Sequence, residues 1–262
     1  MSRRGTLHSP AVAVVVAAVA WTACVPRPRD AGLWFASYIQ TYLERDVRQI
    51  SQVRDLATFR RFLALLASRS GQLLNKTDVA APLGVSVPTV SDWIGILETT
   101  GQVLLVPPYF ENFGKRLIKS PKVYFTDSGL VCHLLGLATP RALAQSPFAG
   151  PVFEGFVAAE IVKQQLNLGL RRELYYFRDQ RGLEVDFLVP GGRERLVLLE
   201  AKASRTVYPE AARSLLALAA SAGRRKADCI VVHAAEKGVP AGTALAPGAR
   251  AMSVAAMLQA LR

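Results

Sequence analysis

The sequence predicts an α/β fold in two halves: a helical first half that ends in two strands, and a second half with the element order αβββαβ. In the first half, apolar residues recur at helical spacing between Trp34 and Leu97. Beyond Leu174 the pattern changes to short apolar strands separated by glycine-containing turns. A polar, proline-bearing link, residues 139–147, separates the two patterns.

The composition favours a folded protein with an anionic partner. Of the 262 residues, 51% are hydrophobic, which suffices for a full core and argues against intrinsic disorder. The formal net charge of +12 attracts polyanions, so we expect DNA as the partner. The three cysteines, Cys24, Cys132 and Cys229, are too widely spaced to indicate a disulfide framework or a zinc cluster.

Residues 1–33 are set apart from both halves as an irregular leader. A basic start precedes an apolar run from Ala11 to Ala20 and small residues near Cys24, which is the pattern of a secretory signal. The run is too short for a membrane span. Because the rest of the chain is basic and lacks cysteine pairs, we expect a cytoplasmic protein without a membrane partner and with a misassigned start. Export directed by residues 1–24 is the alternative.

The first half, residues 34–138, contains a helix–turn–helix pattern. A short helix ends at Gly84, a residue that permits a tight turn, and Ser86 and Pro88 open the next helix. Two strands follow, so the order indicates a winged helix. The predicted elements begin near Trp34, Leu56 (with Asp55 as its N-cap), Leu74, Ser86, Gly101 and Lys122.

Nucleic-acid contacts are expected mainly from the wing of this half. Thr89 lies on the outward side of the second helix of the motif, but that side has no Lys or Arg with which to read guanine or grip phosphate. The basic residues lie instead in the predicted wing, where they would bind the DNA backbone with little sequence choice. They are Lys115, Arg116, Lys119 and Lys122. The alternative is that the module only packs against a neighbouring domain.

The second half, residues 150–235, has the element order of the restriction-endonuclease-like fold. A helix around Phe153 precedes three strands, a helix at Pro209–Ala222 and a buried strand that ends at His233, and residues 236–262 are treated as a C-terminal extension. The second strand of this half carries Asp186. The third ends in Glu200-Ala-Lys202, and residues i and i+2 of a strand share a face.

Acids and a lysine at the ends of buried strands indicate chemistry with a divalent cation. We assign Asp186 and Glu200 as ligands of Mg²⁺ or Mn²⁺, because hard cations take carboxylate oxygens. Lys202 is the ammonium that orients water or offsets charge. Glu154 is the acid delivered by the helix, with Glu160 as its competitor, while Glu184 shares a strand face with Asp186. The alternative is that these acids are structural and form ordinary ion pairs.

Several segments resemble the C-terminal half of prokaryotic AAA-type ATP-binding proteins whose tail is a domain of unknown function. In that group a P-loop ATPase precedes a winged helix and a nuclease-like tail, so the resemblance, from about Trp34 to Ala220, implies those two folds. The segments are Tyr42-Leu-Glu-Arg-Asp46-Val, Asn112-Phe-Gly-Lys-Arg, Lys119-Ser-Pro-Lys-Val-Tyr-Phe-Thr-Asp-Ser-Gly129-Leu, Phe153-Glu, Glu184-Val-Asp and Glu200-Ala-Lys.

The ATPase of that group has no counterpart in this sequence. The one run that resembles a phosphate loop, Phe113-Gly-Lys115-Arg, has Tyr109 where the loop requires glycine. We therefore expect no ATP site, and an ATPase partner in trans. The sequence predicts a truncated relative that binds nucleic acid and carries a metal-dependent phosphodiesterase site. The rival hypothesis is a non-catalytic DNA-binding or protein-interaction module with a degenerate nuclease fold.

Overall fold

The protein is a mixed α/β chain in the computed structural model, which describes residues 31–43, 55–109, 119–192, 195–222, 225–235 and 242–262. The structure contains helices and strands near the predicted positions and, in addition, helices at Ser128–Leu134, Pro140–Gln145 and Val254–Ala260 and strands at Thr243–Ala246 and Ala249–Ser253, which the sequence does not predict. In the first half the elements are α1 (Ala31–Tyr38, continued by a π-helix at Ile39–Leu43), α2 (Leu56–Ser68), α3 (Lys76–Ala80, continued by a 3-10 turn at Ala81–Leu83), α4 (Val87–Thr99), β1 (Val103–Val106), β2 (Lys122–Phe125), α5 (Ser128–Leu134) and α6 (Pro140–Gln145).

Side chains at the predicted positions begin the helices of this half. The Asp55 carboxylate accepts a hydrogen bond from the Thr58 N–H at the start of α2, and the Ser86 hydroxyl accepts one from the Thr89 N–H at the start of α4. Gly84 adopts a left-handed φ of 66° between α3 and α4, a conformation that costs glycine little. The axes of the two helical segments consequently meet at 111°, within the range of helix–turn–helix pairs.

The second half is built on one six-stranded mixed sheet. Its elements are α7 (Ala149–Asn167), β3 (Tyr175–Arg178), β4 (Glu184–Pro190), β5 (Arg195–Lys202), α8 (Arg213–Ala219, preceded by a 3-10 turn at Pro209–Ala212), β6 (Lys226–His233), β7 (Thr243–Ala246), β8 (Ala249–Ser253) and α9 (Val254–Ala260). The strand order is β3-β4-β5-β6-β8-β7. β3, β4 and β5 pair antiparallel as a meander, whereas β5, β6 and β8 are parallel.

The sequence predicts that residues 236–262 form a C-terminal extension, but the structure places the described part of this segment within the fold. β8 pairs with β6, and Met252 and Met257 are buried in the main core. The pattern of this segment is weak because β8 is only five residues long and contains Arg250. Pairing with β6 stabilises β8 as a strand, although the sequence of β8 alone does not indicate one.

The two halves are packed together where residues 107–109, which follow β1, and the start of β2 meet β3. The Tyr109 N–H donates to the Tyr176 carbonyl at 2.8 Å, and the Tyr176 N–H donates to the Pro107 carbonyl at 3.0 Å. The Tyr176 hydroxyl also donates to the carbonyl of Ser120, just before β2. Among the described residues, one hydrophobic core runs from α2 and α4 through α7 to one face of the sheet, and a second core, which includes Leu198 and Leu215, lies on the other face. Side chains of β2 therefore reach the strands that carry the predicted acids.

Candidate functional site

Asp186 lies in an irregular stretch of β4. The pairs Tyr175–Leu188 and Phe177–Val185 leave two residues of β4, Asp186 and Phe187, opposite the single residue Tyr176. Such a bulge redirects a side chain and is often found beside functional sites. The Asp186 carboxyl group is buried, and its Oδ2 accepts a hydrogen bond from the Ala201 N–H at 2.9 Å.

The Glu-x-Lys pair lies directly beside Asp186. The pairing of β4 with β5 ends at Phe187 and Leu199, and the next residue, Asp186, accepts the N–H of Ala201, which lies between Glu200 and Lys202. Lys202 Nζ donates to Glu200 Oε1 at 2.6 Å, as expected for residues two apart on one strand. Asp186 is therefore connected through Ala201 to the strand end that carries Glu200 and Lys202.

Glu154 approaches from α7 and completes a group of acids. The Tyr124 hydroxyl donates to Glu154 Oε2 at 3.1 Å, and a Cβ atom on Gly71 would lie 3.3 Å from the same oxygen. Burial and the nearby Asp186 charge raise the pKa of Glu154 from 4.5 to about 8. Glu160, its competitor in the sequence, is half-buried and pairs with Lys163 at 2.9 Å.

Repulsion among the acids adds to the effect of burial. Burial and the Asp186 charge raise the pKa of Glu200 to about 7, although Lys202 acts in the opposite direction. Burial also raises the pKa of Asp186, while Lys122 and the Ala201 N–H lower it. Three carboxyl groups from α7, β4 and β5 therefore influence one another's protonation.

The structure corrects the predicted place of Lys122. The sequence groups it with exposed wing lysines, but only 3% of the residue is exposed, and it lies at the start of β2 against the second half. Lys122 Nζ is 2.6 Å from Glu184 Oε1 and 3.8 Å from Asp186 Oδ1. A phosphate in solution cannot reach a buried ammonium that is already paired with carboxylates.

The remaining predicted nucleic-acid residues have different surroundings. Lys119 is exposed just before β2, as a wing contact requires. Thr89 is half-buried, and its hydroxyl shares a 2.8 Å hydrogen bond with Ser86 at the start of α4. Lys115 and Arg116 lie outside the described residues, as do most of the leader and the segments at 44–54 and 110–118.

Sequence reasoning did not identify two further side chains of the site, Lys122 and Tyr124. They alternate on β2, so residues i and i+2 of this strand enter the same cluster. A lysine at the start of a strand that is otherwise apolar was the available signal, since such a lysine rarely becomes buried without a carboxylate partner.

The donor types suit a hard divalent cation, but their present contacts are with the protein. Asp186 is held by Ala201 and Lys122, Glu200 by Lys202, and Glu154 by Tyr124. Within the described ranges, no three His, Cys, Asp or Glu side chains are arranged to hold one metal ion. Binding of a cation would require these carboxylates to exchange protein partners for the metal.

None of the helices described is by itself long and apolar enough to cross a bilayer. The segments Lys76–Leu83 and Val87–Thr99 reach the required length and hydrophobicity only as a pair, and a bend of 111° separates them.

Comparison with known proteins supports the resemblance in part. Curated relatives that match are "Uncharacterized protein Mb2031c" of Mycobacterium bovis and "Uncharacterized protein Rv2008c" of Mycobacterium tuberculosis, each 37% identical over 160 residues. The match covers 61% of this chain and 35% of each relative, so the chain spans about a third of their length. No solved structure matches the chain significantly. Residues 20–141 match the family model "Domain of unknown function (DUF8612)", and residues 149–252 match "Domain of unknown function (DUF4143)".

Proposed function

We propose that the protein binds DNA and hydrolyses phosphodiester bonds with the help of Mg²⁺ or Mn²⁺. The observation that carries the proposal is the bond from the Ala201 N–H to Asp186, which ties this acid to the strand end that carries Glu200 and Lys202, while Glu154 from α7 is close enough to be affected by the charges of Asp186 and Glu200. A cluster of like charges destabilises a protein unless cations relieve the repulsion, and shifted pKa values of this kind concentrate at functional sites.

In this proposal the protein side chains hold and orient the reacting groups. Asp186 and Glu200 are the ligands, with Glu154 approaching from α7. The cation, when bound, lowers the pKa of a water molecule and stabilises charge on phosphoryl oxygens. Lys202, whose ammonium lies 2.6 Å from Glu200 Oε1, would be the group that orients the attacking water or offsets developing negative charge.

The fold assignments that accompany this proposal are a winged helix and a restriction-endonuclease-like domain. The 111° turn between α3 and α4 and the antiparallel pair β1–β2 support the first. The antiparallel meander β3–β4–β5 followed by the parallel strand β6, with α7 against the sheet, supports the second. The exposed Lys119 and the net charge of +12 support an electrostatic contact with the DNA backbone.

A second candidate function is a non-catalytic DNA-binding or interaction module. It is favoured by the ion pairs Lys122–Glu184 and Lys202–Glu200. In these pairs a lysine already compensates the charge of a carboxylate that a nuclease would use to bind a divalent cation. In that case the ion pairs of the acid cluster would hold the two halves together and would have no catalytic role. In either case we expect ATP-dependent activity to come from a partner in trans, and the purified chain to bind no ATP.

Cleavage of plasmid and branched DNA by the purified chain separates the two candidates. We expect cleavage in Mg²⁺ or Mn²⁺, none in EDTA, and none by Asp186→Asn, whose amide oxygen can still accept the Ala201 N–H. The matched control is Glu160→Gln, which changes a carboxylate of α7 that pairs only with Lys163 among the contacts seen here. DNA binding without cleavage under every condition would favour the non-catalytic module.

A further inference from the structure

Lys122 brings a positive charge from the first half into the acid cluster of the second half. It is the first residue of β2, yet its ammonium lies against the side chains of β4. A buried ammonium is costly unless carboxylates compensate it. Here Glu184 lies at 2.6 Å, Asp186 at 3.8 Å, and the Tyr176 ring centroid at 5.6 Å, within the range of a cation–π contact.

Glu184 and Asp186 share the Lys122 ammonium, but the two carboxylates depend on it to different degrees. Glu184 is additionally within 3.4 Å of Arg178, so it retains a second cationic partner. Asp186 depends on Lys122 more directly, because its other oxygen is already bonded to the Ala201 N–H.

The position of Lys122 therefore conflicts with that of a bound divalent cation. An ion on Asp186 Oδ1 would lie a few ångströms from the ammonium, and like charges at such distances repel strongly where water is scarce. The contacts of Glu154, Asp186 and Glu200 are consistent with this conflict, since each of these carboxylates has a protein partner and no group of three acids among the described residues is arranged to hold one metal ion.

We propose that Lys122 is an internal counter-cation that competes with the divalent metal for Asp186, so that the winged-helix half sets the metal affinity of the site. This inference rests on the proposed function. Lys122 is thus a positioning residue that holds Asp186 and Glu184 when no metal is bound. When a metal binds, the Lys122 ammonium must move away or its positive charge must be compensated.

Calorimetric titration of the full chain with MnCl₂ tests the competition. We expect Lys122→Met, which keeps a long flexible side chain without the charge, to bind Mn²⁺ at least roughly tenfold more tightly than wild type. Lys122→Arg should keep the charge and the lower affinity. The control, Lys163→Met, removes an exposed lysine of α7 and should leave Mn²⁺ binding unchanged.

Folding of the variant is checked by thermal melting in EDTA. If Lys122→Met does not fold, the double variant Lys122→Met/Glu184→Gln removes the ammonium together with its nearest carboxylate and should show the same tighter binding. Wild type provides a measurement that needs no variant: labelling of Lys122 by an amine-reactive reagent, read by mass spectrometry, should rise on addition of Mn²⁺ while labelling of Lys163 stays constant.

The outcomes separate this inference from the proposed function. If wild type binds Mn²⁺ but Lys122→Met, or the double variant in its place, binds it no more tightly, the competition is refuted and the metal site stands. Constant labelling of Lys122 in a protein that binds Mn²⁺ also refutes the competition. If wild type and every folded variant fail to bind Mn²⁺, both ideas fail. If only variants without Lys122 bind it, the competition is supported.

Discussion

Asp186 accepts a 2.9 Å hydrogen bond from the backbone N–H of Ala201, the residue between Glu200 and Lys202. This contact fixes the acid of β4 against the end of β5 independently of any metal. A buried carboxylate that accepts a backbone N–H is held more firmly than one that depends on a flexible side chain. The relative positions of Asp186 and the Glu-x-Lys pair are therefore a property of the folded sheet, and the following predictions test what the cluster does.

Stability should decrease as the pH rises from about 5 to 8. The folded-state pKa values of Glu154 (about 8) and Glu200 (about 7) are above their usual 4.5, so the folded protein binds more protons than the unfolded chain in this interval. This contribution to stability is complete below pH 4.5 and is lost as the pH passes through the folded-state values. Urea unfolding of metal-free protein at several pH values measures it; a stability that increases steadily to pH 8 would contradict the burial of these acids.

Replacing Glu154 by glutamine should stabilise the metal-free protein at pH 8. The change removes a buried carboxylate whose ionisation is costly, and the amide oxygen can still accept the hydrogen bond from Tyr124. We expect a gain of roughly 2 kcal/mol in the free energy of unfolding, less than the full pKa shift would give because the site relaxes. Urea denaturation at pH 8 provides the measurement, with Glu160→Gln as the control that should change stability little.

Divalent metal should raise the melting temperature of the wild-type protein. Binding to the folded state alone stabilises it by mass action, about 2.7 kcal/mol when the ion is at a hundred times its dissociation constant. Asp186→Asn should abolish the rise, whereas Asp92→Asn, at an exposed carboxylate of α4, should preserve it. Differential scanning calorimetry with and without MnCl₂ makes the comparison. Equal rises in all three proteins would place the metal elsewhere.

Binding to duplex DNA should weaken steeply with salt. Neutralising Lys115, Arg116 and Lys119 together should reduce the affinity and lower the slope of log K against log salt by about 0.9 for each phosphate contact removed. Fluorescence anisotropy with a labelled duplex at several salt concentrations measures the slope. Lys226→Gln, at an exposed lysine of β6, is the control. An unchanged slope in the triple variant would show that DNA binds another surface.

Gly71→Ala should perturb the acid cluster through Glu154. Gly71 has a φ of 81°, and a Cβ atom there would lie 3.3 Å from Glu154 Oε2. Gly101 has a similar φ of 72° with open space around its missing Cβ, so Gly101→Ala isolates the backbone strain, about 1 kcal/mol. Urea unfolding at pH 6 and 8 should show a larger loss for Gly71→Ala and a changed pH dependence. An equal loss of stability and the same pH dependence in the two variants would mean that Glu154 moves away from the added methyl group without cost.

The sequence by itself determined the helix starts, the turn at Gly84 and the strands that carry Asp186 and Glu200. Asp55 and Ser86 at helix starts, Gly84 at the turn and the apolar strands that end in Glu200-Ala-Lys202 are local signals, because capping, left-handed turns and strand alternation depend on residues close along the chain. The sequence also favours Glu154 over Glu160 as the acid that the helix delivers, although both residues lie on one helix.

Tertiary structure alone decided which partners those acids have. Lys122 is separated from Glu184 by 62 residues in the chain, and its burial depends on β2 packing against β3 and β4, which no periodicity in either half encodes. The bulge that turns Asp186 toward Ala201 and the pairing of β8 with β6 are likewise set by neighbouring strands. Charge and hydrogen-bond energies in a buried cluster depend on three-dimensional distance, so these contacts, and the competition that we infer from them, follow only from the folded arrangement.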